Sequence, residues 1–263
     1  MKKELDTFDN LVRYTSMNVR KILLNLPDDL KMTIEEIRLR NGKPLNLNYQ
    51  GKDFFMTKEG EVTAKSHKAY IVTQEEISNT FQLVTKHSIY AYTEEIKKGF
   101  ITINGGHRIG LGGQAIYSGN SIENIKNISS LNMRIAREKK GIANKLFIYL
   151  LENGNFQNTL IISPPQGGKT TLLRDLVRNL SNGYGNGRAY KIGLIDERSE
   201  IASIYRGMAQ NDIGIRTDVL DGCLKEDGIM MFIRSMSPEI IAVDEIGGKE
   251  DIEAIEAGLR AGI

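Results

Sequence analysis

Leu160-Ile161-Ile162-Ser163-Pro164-Pro165-Gln166-Gly167-Gly168-Lys169-Thr170-Thr171 is the stretch on which the fold of this 263-residue chain turns. It reads as an apolar strand, a loop of small residues, and Gly-Lys-Thr opening a helical run from Thr171 to Asn179. That pattern is the phosphate-binding loop of P-loop NTPases. Backbone N–H groups at a helix N-terminus can wrap phosphates only where no loop side chain obstructs them, hence the glycines. Ser163, Pro164, Pro165, Gln166, Gly167, Gly168, Lys169, Thr170 and Thr171 are accordingly the expected nucleotide contacts. Lys169 is placed to reach the β- and γ-phosphates, and the Thr170 hydroxyl to ligate Mg²⁺. Ser163 stands where the usual motif has its first glycine; it is small, and Pro164-Pro165 fixes an extended turn there.

A second segment supports the first. Ile240-Ile241-Ala242-Val243-Asp244-Glu245 is four apolar residues ending in two carboxylates, the form of a Walker B strand. A buried strand would deliver Asp244 to the sheet's carboxyl edge, to hold the Mg²⁺ hydration shell. Glu245 would orient or deprotonate the attacking water. Ile192-Gly193-Leu194-Ile195-Asp196-Glu197-Arg198 has the same form. Three apolar strands ending in phosphate- or metal-compatible chemistry imply an α/β fold: a RecA-like parallel sheet flanked by helices, with ligands at the strands' carboxyl ends.

Composition is that of an ordinary globular protein, with 40% hydrophobic and 26% charged residues. The single Cys223 excludes an intrachain disulfide and fits a reducing compartment. No apolar run approaches the ~20 residues of a membrane span, and the acidic start is not a signal peptide. A cytoplasmic protein without direct membrane insertion is expected. The net charge of +2 hides an asymmetry: residues 1–150 carry 23 Lys/Arg against 16 Asp/Glu, and residues 151–263 carry 12 against 17. Complementary charge of this kind can help parts of a chain, or neighbouring subunits, to dock. The lysines of the basic part are scattered, with no stripe interleaved with aromatics, so no nucleic-acid partner is expected.

The chain divides near residue 140, into an α+β domain (1–140) and the P-loop domain (141–263). Glu36 to Arg40 and Leu45 to Tyr49 alternate around Asn41-Gly42-Lys43-Pro44 as a hairpin. Thr73-Gln74-Glu75-Glu76 is a capping box opening a helix. Phe100 to Ile103 and Arg108 to Tyr117 read as two strands, and Leu131, Met133 and Ile135 mark a further one. Gly141 to Leu151 reads as an apolar helix. The glycines between Gly105 and Gly113 precede strand residues rather than a helix, so turns and bulges explain them better than a dinucleotide site. The three histidines fall in unrelated elements and form no metal set.

With the motifs in hand, the chain resembles the stage III sporulation protein AA family. The resemblance rests on Ile162 to Asp175, Leu194 to Ile201, Gln210 to Asp221, Ile233 to Gly247, and Gly99 to Gly113. That family is similar to the hexameric ATPases of type II and type IV secretion and of pilus machines. The resemblance implies ATP and Mg²⁺ as cofactors and a homo-oligomer, expected to be a hexamer. It also implies a place in the mother cell of an endospore former, peripheral to the membrane through the membrane proteins of a sporulation channel complex. The implied task is a motor ATPase energising that channel. In the secretion-ATPase relatives an acidic box helps place water and metal, and Asp196-Glu197 matches it, with Asp196 toward the metal and Glu197 catalytic. Arginines from the first domain or a neighbouring subunit complete such sites; Arg134, Arg137 and Arg216 are the candidates here. Readings from other classes are a nucleic-acid-stimulated P-loop ATPase and a nucleotide-dependent scaffold with little hydrolysis. The end at Ala261-Gly262-Ile263 looks like the opening of another strand, so a P-loop domain truncated at its C-terminus is expected.

Overall fold

The computed structural model describes residues 2–49, 51–165 and 167–263. They form two compact units, one up to Arg137 and one from Glu138 to Ile263.

The first unit sets helices α1 (Lys2–Val12), α2 (Met17–Leu24) and α3 (Asp28–Lys31) ahead of strands β1 (Glu36–Arg40), β2 (Asn46–Tyr49), β3 (Lys52–Met56) and β4 (Val62–Thr63). Helices α4 (Gln74–Val84) and α5 (Thr93–Lys97) follow, then β5 (Phe100–Thr102), β6 (Arg108–Ser118) and β7 (Ser121–Arg134). The strands make one antiparallel sheet in the order β4-β3-β2-β1-β7-β6-β5. Alternation decides its faces. Ile37 and Leu39 of β1 point into the core with Ile109, Leu131 and Met133, where they meet Phe8, Leu11, Val19, Leu23, Ile77 and Val84 of the helices. Each such side chain, fully buried, contributes roughly 1.5–3 kcal/mol. The expected hairpin is present, with Ile37 opposite Leu47. The Thr73 hydroxyl and the Glu76 carboxylate close the capping box at the start of α4. Gly105 and Gly106 adopt positive φ in the β5–β6 turn, and the ladder shifts register between Gly112 and Gln114. These glycines serve turns and a bulge.

The second unit begins with α6 (Asn144–Phe147) and the short hairpin β8 (Leu151–Glu152) and β9 (Asn155–Phe156). Helix α7 (Lys169–Asn182), β10 (Ile192–Asp196), β11 (Ile204–Tyr205), β12 (Met208–Ala209), β13 (Thr217–Asp221), α8 (Lys225–Ser235), β14 (Ile240–Val243) and α9 (Lys249–Arg260) complete it. The sheet is parallel, in the order β13-β10-β14. Central β10 is buried along its whole length, as a strand covered on both faces must be. Gly193 lets α8 approach it: a Cβ there would lie 2.9 Å from the Phe232 ring. This is a parallel sheet flanked by helices, preceded by an α+β unit.

Two expectations are corrected. Leu160 to Ile162 forms no strand; Leu160 and Ile162 are 67% and 84% exposed. A strand exists only through its ladder, and β14, at the edge of the sheet, pairs with β10 alone. Gly141 to Leu151 is not one helix either. Helical structure is confined to Asn144–Phe147 and a 3-10 turn at Ile148–Leu150. Asn153-Gly154, with φ of 50° and 78°, makes the turn that draws Leu151 opposite Phe156. An Asn-Gly hairpin signal prevailed over apolar helical spacing.

Candidate functional site

The expected phosphate loop is shaped by steric exclusion at Gly167 and by backbone geometry at Gly168. A Cβ on Gly167 would meet Ser163 Oγ at 2.4 Å and the Pro164 carbonyl at 3.0 Å. Gly168 caps α7 with φ 85°, a conformation glycine adopts without strain. Gln166 lies outside the described residues. Lys169 opens α7 and bends back over the loop, its Nζ donating to the carbonyls of Ser163 (3.0 Å) and Pro164 (3.3 Å). A cleft of ≈ 450 Å³ opens beside Ser163, Lys169 and Thr171, with Ile142 and Leu172 on its apolar side. Its volume lies in the range of small-ligand sites.

The two motifs meet through one bond. Thr170 Oγ1 donates to Asp244 Oδ1 at 3.1 Å, which joins the start of α7 to the carboxyl end of β14. Burial raises the Asp244 pKa, Thr170's bond works the other way, and Glu200, Asp196 and Glu245 add repulsion in the upward direction. Carboxylates gathered this way call for a cation. Among the described residues no set of three or more His, Cys, Asp or Glu could hold a metal alone. The Thr170–Asp244 pair therefore fits Mg²⁺ held largely by phosphate oxygens and water.

Asp196, the expected metal ligand, has its oxygens engaged by backbone amides. It is fully buried, and three loop amides occupy its oxygens. Glu200 N–H donates to Oδ1 at 2.8 Å, while Ile201 and Ala202 N–H donate to Oδ2 at 3.0 and 2.8 Å. It anchors the loop after β10. Glu197 is held by a short ion pair from Lys225, whose Nζ also stands 3.9 Å from Asp251. Glu245 is more than half exposed and pairs with Arg198 at 3.2 Å.

The three arginines part company. Arg216 donates from Nη1 to the Ser181 carbonyl at 2.9 Å, near the C-terminal end of α7. At 1.5 Å rise per residue that end lies ~18 Å along the helix from Lys169. Arg134 stands 3.5 Å from Glu36, and Arg137 donates to the carbonyls of Ile34 and of Lys31 (2.7 Å). Both sets of contacts lie within the first unit, and for Arg137 they occupy both terminal nitrogens.

Arg174 was missed by the sequence reading. One turn after Thr170 on α7, it donates from Nε to the Ile201 carbonyl (2.7 Å) and from Nη2 to that of Glu200 (2.5 Å). Burial lowers its pKa, opposed by surrounding carboxylates that include Asp196 and Asp244. It ties the phosphate-loop helix to the loop that Asp196 anchors. An arginine four residues after the motif threonine was the available signal.

Residues 5–263 match the family model described as "Sporulation stage III, protein AA". The chain is 44% identical over 246 residues to stage III sporulation protein AA of Bacillus subtilis (strain 168), covering 94% of this chain and 76% of that protein. Its fold is similar to the pilus retraction motor PilT with bound ADP, at TM-score 0.55 and 14% identity, covering 94% of this chain and 64% of that one. The Legionella pneumophila ATPase DotB aligns at TM-score 0.49 and 16% identity, over 86% of this chain and 59% of its own. The chain thus spans about three fifths of the length of these two solved structures.

Proposed function

The chain belongs to the sporulation stage III, protein AA family, and from that premise we propose that it binds and hydrolyses ATP as the motor of a secretion-like channel during endospore formation. The observation that carries the reading is the Thr170–Asp244 bond, because it brings two motifs far apart in sequence to one edge of the sheet. The loop amides and Lys169 bind the β- and γ-phosphates; to do so Lys169 exchanges its two loop carbonyls for phosphate oxygens, a stronger charge-assisted contact. Thr170 and Asp244 would hold Mg²⁺ at this edge, and the ion when bound would neutralise charge on the phosphates. Glu245 orients the attacking water and takes its proton once Arg198 yields it. Asp196, Arg174 and the Lys225–Glu197 pair set the loop that faces this edge.

Arg216 lies at the far end of α7 from the phosphate loop, which supports a role in a neighbour's site rather than its own. Assembly into a homo-oligomer, a hexamer in this reading, would then complete each site. Among the described residues no helix is long and apolar enough to cross a membrane. In this reading the protein attaches to the membrane, in the mother cell, through protein partners. Equilibrium binding of a fluorescent ATP analogue tests the reading. Lys169→Ala should abolish binding, and Thr170→Ala should remove its Mg²⁺ dependence. Wild-type affinity in Lys169→Ala would overturn it.

A further inference from the structure

The first unit has an outward sheet face that the helices leave uncovered, and it carries a depression of ≈ 300 Å³. Its walls come from two registered rows across three strands. Arg38 of β1 lies opposite Asn132 of β7, which lies opposite Gly110 of β6. Arg40 lies opposite Ser130, which lies opposite Gly112. Alternation turns all six away from the core that Ile37, Leu39, Leu131 and Met133 enter. The glycines make the floor: a Cβ on Gly112 would stand 2.2 Å from Ser130 Oγ.

Hydrogen-bonding capacity converges here without being used. Arg38 spends Nε and Nη2 on Glu36 Oε2, at 2.9 and 2.6 Å, and keeps Nη1. The Arg40 guanidinium, on a half-buried residue, has no hydrogen bond or ion pair among the described residues, the residue's carbonyl alone accepting from Lys43 N–H outside the ladder. Asn132 Oδ1 is buried with no hydrogen-bond partner. Buried polar atoms in folded proteins are satisfied as a rule, so an orphan acceptor beside two guanidinium groups marks a place where something binds. We propose that these two rows form a binding site for a hydroxyl-bearing oxyanion, a phosphate ester or a hydroxycarboxylate. Arg40 and the Nη1 edge of Arg38 take the anion, where guanidinium geometry matches phosphate and carboxylate alike. The Ser130 hydroxyl adds a donor, and Asn132 Oδ1, closed off in the structure, accepts from the ligand's hydroxyl once the side chains over it turn toward the anion. All of these residues belong to the first unit.

The test uses the full chain carrying Lys169→Ala, so that the phosphate loop cannot supply the signal and the outcome does not depend on the ATPase reading. Ribose 5-phosphate and citrate are titrated separately by calorimetry at low salt; which one binds identifies the source of the oxyanion. Adding Arg40→Ala, at a position with no partner to lose, should weaken binding about tenfold or more, the worth of a charge-assisted contact. Adding Lys43→Ala instead, an exposed charge outside the depression, should leave it unchanged. Failure of both ligands to bind at millimolar concentration would overturn the site. So would retention of affinity in the Arg40→Ala protein, or an equal loss in the Lys43→Ala protein, which would reduce the effect to general charge attraction.

Discussion

Asp196→Asn separates an anchor from a metal ligand, and its consequence can be worked from three bonds. In the wild type one carboxylate oxygen accepts from Glu200 N–H and the other from Ile201 and Ala202 N–H, all inside the fully buried turn after β10. Asparagine presents one oxygen, which can keep the Ile201–Ala202 pair. Its –NH₂ then confronts the Glu200 N–H, a donor against a donor. One charge-assisted bond, worth roughly 1.5–3 kcal/mol, is lost, and two others fall to neutral strength. Some of this is returned, because Asp244 loses a negative neighbour. A net local destabilisation of about 2–4 kcal/mol follows, a large share of a domain's ~5–15 kcal/mol. Hydrogen exchange resolved over residues 192–202 reads it directly, since opening free energies are local. Exchange there should accelerate by about thirtyfold to a thousandfold, at about 1.4 kcal/mol per factor of ten, while Mg²⁺-dependent ATP binding weakens but persists through Thr170 and Asp244. Unchanged exchange together with abolished Mg²⁺ dependence would refute the anchor and restore Asp196 as a ligand.

Other outcomes follow from the same geometry. Gly167→Ala drives a Cβ into Ser163 Oγ and the Pro164 carbonyl, so ATP affinity measured by calorimetry should fall by about tenfold or more, with the stability of the unit little changed. His107 is fully buried, and burial, then the Arg137 charge, push its pKa down from 6.5 to about 4. The folded value lies below the unfolded one, so its contribution is complete above pH 6.5 and is lost as pH falls toward 4; about 3 kcal/mol of the first unit's stability should go. Urea midpoints between pH 7 and pH 4 should show the slope, and a His107→Phe protein that keeps the same slope would assign it elsewhere. Amides of Leu160 to Ile162 should exchange far faster than those of Ile192 to Ile195; equal protection would show a ladder that the structure lacks.

What was legible in the sequence was what local chemistry decides. The Glu36–Arg40 and Leu45–Tyr49 alternation, the Thr73–Glu76 box, the glycine turns at Gly105-Gly106, and the apolar runs ending at Asp196 and Asp244 each specify themselves within a few residues. The meeting of Thr170 with Asp244 was legible too, because the two motifs are expected to serve one ligand. The misreadings share a cause. Leu160 to Ile162 has strand composition, yet a ladder needs a partner that composition does not supply. Asp196 reads as part of an acidic box after a strand, and only the folded turn reveals three amides aimed at it. Arg174 and Lys225 carry no local signal of a role, because their carbonyl and carboxylate partners lie 26 to 28 residues away. Pairings of that range are set by tertiary structure, not by pattern.

The central claim is that Lys169, Thr170, Asp244 and Glu245 form one hydrolytic site. Single-turnover cleavage of ATP labelled at the γ-phosphate, with Mg²⁺ and excess protein, tests it most directly. The wild type should release labelled phosphate. Glu245→Gln should bind ATP with near wild-type affinity and leave it uncleaved, while Lys169→Ala should not bind it at all. Phosphate release by Glu245→Gln at the wild-type rate would contradict the account.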